Sequence, residues 1–354
     1  MHCSTVGLHC HQHRAGAHAP RHSPRADGDL LDCPSGDRVS AGYGDNGSSK
    51  ACRIPARKDD GSLAGGNLAG GNLADVRQSI FSIDVEDWFN LSGTGHEPPP
   101  SEWDRLESRI EQNFRGLLEL LADGGGTATC FVVGYFAKRF PHLVREAVAA
   151  GHEIASHGYF HRLVYDLSPA DFQQDAAASR KLLEDISGRP VRGFRAPAFS
   201  VTARTPWFFD KLAEAGYQYD SSMFPAPHQT GGLANGRFEP HSVRSSAGII
   251  AEFPITVVPV FGAPICFFGG GYLRLFPYPL IRAMGRHVLD DERPIVFYVH
   301  PREIDPEQPR LPLSLRRRFT CYVNLSTTRP KIKRILSDFQ ITSFAQYLSA
   351  RTIQ

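Results

Sequence analysis

The chain has 354 residues, enough for one large domain or two ordinary ones, and its 41% hydrophobic and 21% charged residues fit a globular protein with a sizeable core. A formal net charge of +2 is too near neutral to indicate nucleic acid or a membrane surface as partner. No run approaches the roughly 18 consecutive apolar residues of a spanning helix; the longest apolar region, Ile249 to Phe261, is interrupted by Glu252, Pro254 and Pro259.

From Met1 to about Asp75 neither helical nor strand periodicity is present, and the stretch is rich in Gly, Ser, Asp, Arg and His with the short repeat LAGGNLAGGNLAD. Such a segment buries too little apolar surface to offset its ordering entropy, so residues 1–76 are expected to be a disordered or non-native extension. The opening MHCSTVGLHCHQHRAGAHAP has no apolar signal-peptide core, which makes a cytoplasmic location the default expectation. Its Cys and His residues lack a second half at zinc-finger spacing. The seven cysteines suggest no disulfide framework, and Cys130, Cys266 and Cys321 read as buried free thiols.

Regular structure is expected from Ile80. SIFSID reads as a buried strand ending in carboxylates; Trp103 to Leu121 carries apolar residues at helical spacing until GGG stops it. TATCFVV is a strand, Pro141 to Ala150 a helix, HEIAS a strand. Ser168-Pro169 opens a helix as N-cap and first-turn proline, closed by Gly188. VRGFRAP is a strand, Pro206 to Ala215 a helix, and YQYDSS a strand end. Strand and helix alternating in short units imply parallel strands with right-handed crossovers, and chemistry at the strands' C-terminal ends.

Polar groups gather at those ends. Asp84, Glu86 and Asp87 crowd one strand end, where mutual repulsion calls for a cation or hydrogen-bond donors; an acidic turn capping the next segment is the plainer account. His157 and His161, in SHGYFH, are four apart; on a helical turn they would share one metal, and otherwise they are two surface histidines. His152-Glu153 with His157 is one residue too long for a zinc-protease motif, and HEIAS reads as strand. Arg195 in FRAPAF is either a surface cation or a clamp on a catalytic carboxylate. His300 ends the apolar strand IVFYVHP, as a satisfied core group or a general acid. Two histidines and one carboxylate would leave positions open on the metal, as a catalytic site requires. The basic run from Arg310 through Arg334 is ordinarily a solvated surface, with an anionic glycan as its functional reading. The stretch CFFGGGYLRLFPY suits a sugar groove or core packing equally.

The ordered set of an acidic strand end, S-H-x-x-x-H, R-x-P, D-S-S and a late strand ending in His resembles the polysaccharide deacetylases that carry the NodB homology domain. FSIDVEDWF, GHEIASHGY, FRAPAFS and YVHPREIDPEQPR look like the subfamily associated with exopolysaccharide loci and the exosortase (PEP-CTERM) system. The resemblance implies a distorted parallel (β/α) barrel, with residues 77–223 as the deacetylase core. Residues 224–354 would complete the barrel and carry the general-acid histidine.

It further implies Asp84 as base, His157 and His161 as metal ligands, Arg195 as the arginine orienting the base, and His300 as general acid. The family's first motif usually has two adjacent aspartates, whereas this chain has Asp84, Val85, Glu86 and Asp87, so the metal carboxylate is Asp87, with Glu86 as the alternative. Ala198 stands where many members have Tyr and is expected, with Phe199 and Asp220, at the substrate; its amide would serve as oxyanion donor. The implied activity is zinc-dependent removal of N-acetyl groups from an amino-sugar polysaccharide or its precursor. Exopolysaccharide assembly proteins are the implied partners. A metal-independent cyclic amide hydrolase of the allantoin type and a non-catalytic carbohydrate-binding module are the rival readings.

Overall fold

In the computed structural model, residues 78–233 and 236–351 are described. The expected extension 1–76 lies outside them, as do Cys3, Cys10, Cys33 and Cys52. A nine-stranded sheet draws strands from both sides of position 223, and two large hydrophobic clusters also take residues from both sides.

Five parallel strands come first: β1 (Gln78–Val85), β2 (Thr129–Val132), β3 (Glu153–Ser156), β4 (Gly193–Phe194) and β5 (Tyr219–Asp220). The antiparallel hairpin β6 (His241–Ser245) and β7 (Gly248–Glu252) extends them, with β7 parallel to β5. A separate hairpin, β8 (Val257–Val260) and β9 (Ala263–Cys266), precedes β10 (Val296–Val299) and β11 (Gln340–Thr342). Both late strands return to β1, giving the order β10-β1-β2-β3-β4-β5-β7-β6, with β11 on the first residues of β1. The seam between β7 and β10 is not a ladder. Thr256 Oγ1 accepts from the Val296 amide at 2.8 Å, and the Phe268 carbonyl from the Tyr298 amide at 3.2 Å. This distortion of the parallel α/β barrel requires glycine at 269, because a Cβ there would lie 2.1 Å from the Tyr298 ring.

The helices follow the sequence signals where caps are strong. Ser168 accepts from the Asp171 amide, Pro169 occupies the first turn, and Gly188 ends helix Pro169–Ser187 at φ 63°. The first long helix starts later than its periodicity predicts, at Ile110 rather than Trp103. Trp103 sits instead in a short 3₁₀ turn, its indole donating to the Pro98 carbonyl and stacking on Phe136. Among the described residues no helix is long and apolar enough to cross a membrane. Cys130, Cys266 and Cys321 are buried free thiols, as expected.

Candidate active site

Asp84 stands at the C-terminal end of β1, buried, and Arg195 follows β4. Arg195 Nη1 donates to Asp84 Oδ1 at 2.7 Å and to Ser82 Oγ at 2.8 Å, while Nε and Nη2 reach the Ser221 carbonyl and hydroxyl. The guanidinium lies 4.2 Å from the centre of the Phe131 ring. Such a fully buried pair is tolerated because nearly every donor is used; removing one partner of a pair like this costs roughly 3–5 kcal/mol.

His157 and His161 meet, but not on a helical turn. They leave β3 in a loop that reverses through Gly158 (φ 73°) and His161 itself (φ 53°), bringing the rings within 5.1 Å of each other. The loop is pinned by the Gly134 and Tyr135 amides, which donate to the Gly158 and Tyr159 carbonyls, and by Asp175, which accepts from the Tyr159 amide at 2.7 Å. His157 Nδ1 sits 2.8 Å from the Arg195 carbonyl, which fixes that nitrogen as the N–H and leaves Nε2 as a free lone pair.

The carboxylate facing the histidines is Glu86, not Asp87. Glu86 Oε2 lies 2.6 Å from His161 Nε2 and 4.0 Å from His157 Nε2. Asp87 turns toward the start of helix Ile110–Gly124, accepting from the Ser108 hydroxyl at 2.6 Å and from the Trp88 and Arg109 amides. β1 ends at Val85, where the chain turns and the Glu86 amide donates to the Asp84 carbonyl at 3.0 Å, and the two acids beyond it take different partners. Glu86, His157 and His161 offer ligand atoms within 4.8 Å of one another, all near-buried. His161 Nε2 makes no hydrogen bond despite its burial, so its approach to Glu86 has the geometry of neighbouring ligands rather than of a donor and acceptor. Two imidazoles and a carboxylate therefore fit a divalent cation and leave coordination positions open.

Burial opposes charge on Glu86, but His161, His300 and Arg302 outweigh it and hold the carboxyl at about 2. Burial, followed by the neighbouring His161, keeps His157 well below the usual histidine range, in the neutral form a ligand needs. His300 behaves oppositely: burial would lower it, yet the charges of Glu86 and Glu303 raise it. Its Nδ1 lies 3.1 Å from Glu303 Oε2, and its Nε2 faces Asp84 Oδ2 at 3.8 Å and Glu86 Oε1 at 3.7 Å. Glu303 is fully buried and held in turn by Arg274 Nε at 2.9 Å, while Arg274 also donates to the Thr320, Cys321 and Val323 carbonyls.

Ala198 and Phe199 line the cleft as expected, both in the left-handed region (φ 52° and 53°) that side chains seldom adopt. Asp220 does not. It is fully buried beneath the cleft, accepting from the Ser222 hydroxyl and amide and facing Glu252 across the β5–β7 pairing. Of the basic run, Arg317 reaches the cleft mouth, whereas Lys331 is buried against the Leu273, Arg274 and Phe276 carbonyls. The aromatic stretch divides likewise, with Phe267 and Phe268 in the core and Tyr272 lining the cleft.

The fold and the cluster define a parallel α/β barrel with a buried centre of two histidines and one carboxylate at the strand ends. Residues 103–219 match the polysaccharide deacetylase family, and residues 221–349 match a domain of unknown function, DUF3473. The chain is 36% identical over 80 residues to a chitooligosaccharide deacetylase of Azorhizobium caulinodans, covering 22% of this chain and 38% of the relative. It is 27% identical over 133 residues to a peptidoglycan deacetylase of Helicobacter pylori, covering 38% and 44%. The chain thus spans less than half the length of these curated relatives. Among solved structures, a Mycobacterium smegmatis protein assigned to the polysaccharide deacetylases superposes with a TM-score of 0.53 at 21% identity, covering 81% of this chain and 93% of that one. A Puue allantoinase superposes with 0.51 at 17% identity, covering 77% and 89%. These two likenesses establish the fold alone. The sequence matches show that residues 103–219 are similar to a polysaccharide deacetylase domain.

Proposed function

We propose that the chain is a metal-dependent hydrolase that removes N-acetyl groups from an amino-sugar polymer or its precursor, and that it serves exopolysaccharide biosynthesis alongside assembly proteins. The observation that carries the activity is the convergence on one cleft of Asp84, backed by Arg195, of His300, backed by Glu303, and of the Glu86–His157–His161 cluster. The exopolysaccharide role rests on the resemblance of the FSIDVEDWF and YVHPREIDPEQPR motifs.

A divalent ion held by Glu86, His157 and His161, zinc being the choice that best suits imidazole ligands, would polarise the acetyl carbonyl and activate water. Asp84 is the base. Arg195 occupies its Oδ1, leaving Oδ2 on the His300 side to take the proton of the attacking water. His300 is the acid. Glu303 holds its Nδ1 and favours the protonated ring, so Nε2 delivers a proton to the departing sugar amine. The left-handed backbone at Ala198 presents the amide there as a donor to the developing oxyanion. Phe199 and Tyr298 wall the cleft, in edge contact at 5.1 Å. Water and the amide yield acetate and the free amino sugar.

The test is acetate release from N-acetylglucosamine oligomers with and without a chelator, run beside His157→Ala. Chelator-sensitive release that disappears in the variant supports the reading. Bound zinc with no release from any N-acetyl glycan defeats it.

A further inference from the structure

We propose that Arg302 is a recognition point for a carboxylate on the substrate, so that the glycan this chain takes is acidic, with a uronic acid beside the acetylated amino sugar; this deepens the deacetylase reading and rests on it. Arg302 is only 7% exposed, yet its Nε and Nη1 groups have no hydrogen-bond partner. It meets Glu86 at 3.6 Å between Nε and Oε1, beyond hydrogen-bond length, and the other oxygen of Glu86 is engaged with His161. A buried guanidinium with idle N–H groups is costly, and its planar fork matches the two oxygens of a carboxylate.

Position and charge both indicate where that carboxylate comes from. Glu86 Oε2 faces the two histidines, whereas Oε1 faces Arg302 and, at 3.7 Å, His300 Nε2. Arg302 therefore lies on the side where the sugar amine departs, not on the acetyl side. It lines the reaction cleft and also an adjoining cavity, where Tyr272 and Phe319 offer aromatic faces to a second sugar ring. Among the described residues lining the two cavities, the acids are Asp84 and Glu86, each already partnered. The other charged side chains are Arg274 and His300, both committed to Glu303, and Arg302 and Arg317. A neutral homopolymer of acetylamino sugars brings no anion to this surplus.

The experiment compares a tetrasaccharide alternating N-acetylglucosamine with glucuronic acid against the same molecule methyl-esterified at the uronates, with the zinc-loaded full chain. The ester removes the charge and adds only a methyl group. The acid is expected to exceed the ester about tenfold or more in kcat/KM, and Arg302→Gln to erase the difference, with Arg302→Lys retaining part of it. Equal turnover of acid and ester by the unaltered chain would overturn the inference. So would an Arg302→Gln variant that loses zinc and depresses both substrates alike while keeping their ratio, for Arg302 would then serve only to hold Glu86. If no acetate is released from either, the deacetylase reading fails. Calorimetric binding to the Asp84→Asn chain then decides Arg302 separately: tighter binding of the acid upholds the site, and equal or absent binding removes it.

Discussion

Residues 78–220 and residues 221–351 build one cleft from different materials. The earlier region contributes Asp84, Glu86, His157, His161 and Arg195, each at or just beyond a strand end of an ordinary parallel β/α progression. The later region contributes His300, Glu303, Arg302, Tyr272 and Arg317, carried by two antiparallel hairpins, short helices and a strand that inserts beside β1. The polar networks differ accordingly. The Asp84–Arg195 pair is held through Ser82 and Ser221, whose hydroxyls donate to the Phe297 and Phe253 carbonyls, whereas the His300–Glu303–Arg274 series runs outward to the backbone of helix Leu315–Tyr322. On the proposed mechanism, proton abstraction and metal binding fall to the regular half, and protonation of the leaving group and contact with the sugars to the irregular half.

The strongest way to break this division is His300→Ala. If the later region merely closes the barrel, the loss should be small; a fall of about 10²–10⁴ in kcat with zinc content unchanged is expected. Metal analysis sharpens the assignment within the earlier region. Glu86→Gln should weaken zinc binding by more than the roughly 10–100-fold that outer partners of a metal site cost. Asp87→Asn should leave zinc bound, and lower stability by about 1 kcal/mol through the start of helix Ile110–Gly124. Glu303→Gln, which touches no ligand, is expected to lower kcat about 10–100-fold without loss of zinc. Because Glu303 raises His300, the alkaline limb of the rate profile should also move to lower pH.

The smallest effect concerns the join between the regions. Burial raises both of the facing carboxyls Asp220 and Glu252, and the charge of Asp220 adds to it at Glu252, which stands well above the carboxyl range, so the folded chain retains a proton that the unfolded chain releases. A raised carboxyl contributes fully below its unfolded pKa, and that contribution is lost as pH rises through the folded one. Glu252→Gln keeps the acceptor for the Met223 amide and needs no proton. Its Tm should therefore fall less than that of the unaltered chain between pH 5 and 9, by about 2–4 °C for each kcal/mol removed.

The earlier region was legible because its signals are local. Strand ends, caps and glycine stops fixed β1 to β5 and most helices, and the candidate residues fell on one rim. What escaped depended on through-space detail. Three acids within four residues do not reveal which of them faces the histidines until the turn that ends β1 at Val85 is known. The histidine pair reads as helical by spacing, yet two positive-φ residues bring it together. Asp220 lies at a strand end but points beneath the cleft toward a partner 32 residues away. Glu303 left a trace: Pro301 and Glu303 after His300 have the spacing of a capping box, and Glu303 does accept from the His300 amide at 3.0 Å. Arg302 left none, since an arginine without a partner is visible only once its surroundings are.

The placement of β1 has a consequence in time. Ile80 pairs with Val296, and the Ser82 hydroxyl donates to the Phe297 carbonyl across 215 residues of chain. A ribosome delivers the strand proposed to carry the base more than 200 residues before its neighbour β10. Non-local pairing of this kind slows folding, and an unpaired strand edge invites association with other chains. Until β10 and β11 arrive, one flank of the strand that carries Asp84 and leads to Glu86 stays uncovered, so a nascent chain holds half a reaction centre on an adhesive edge and depends on the later region for protection as much as for its acid.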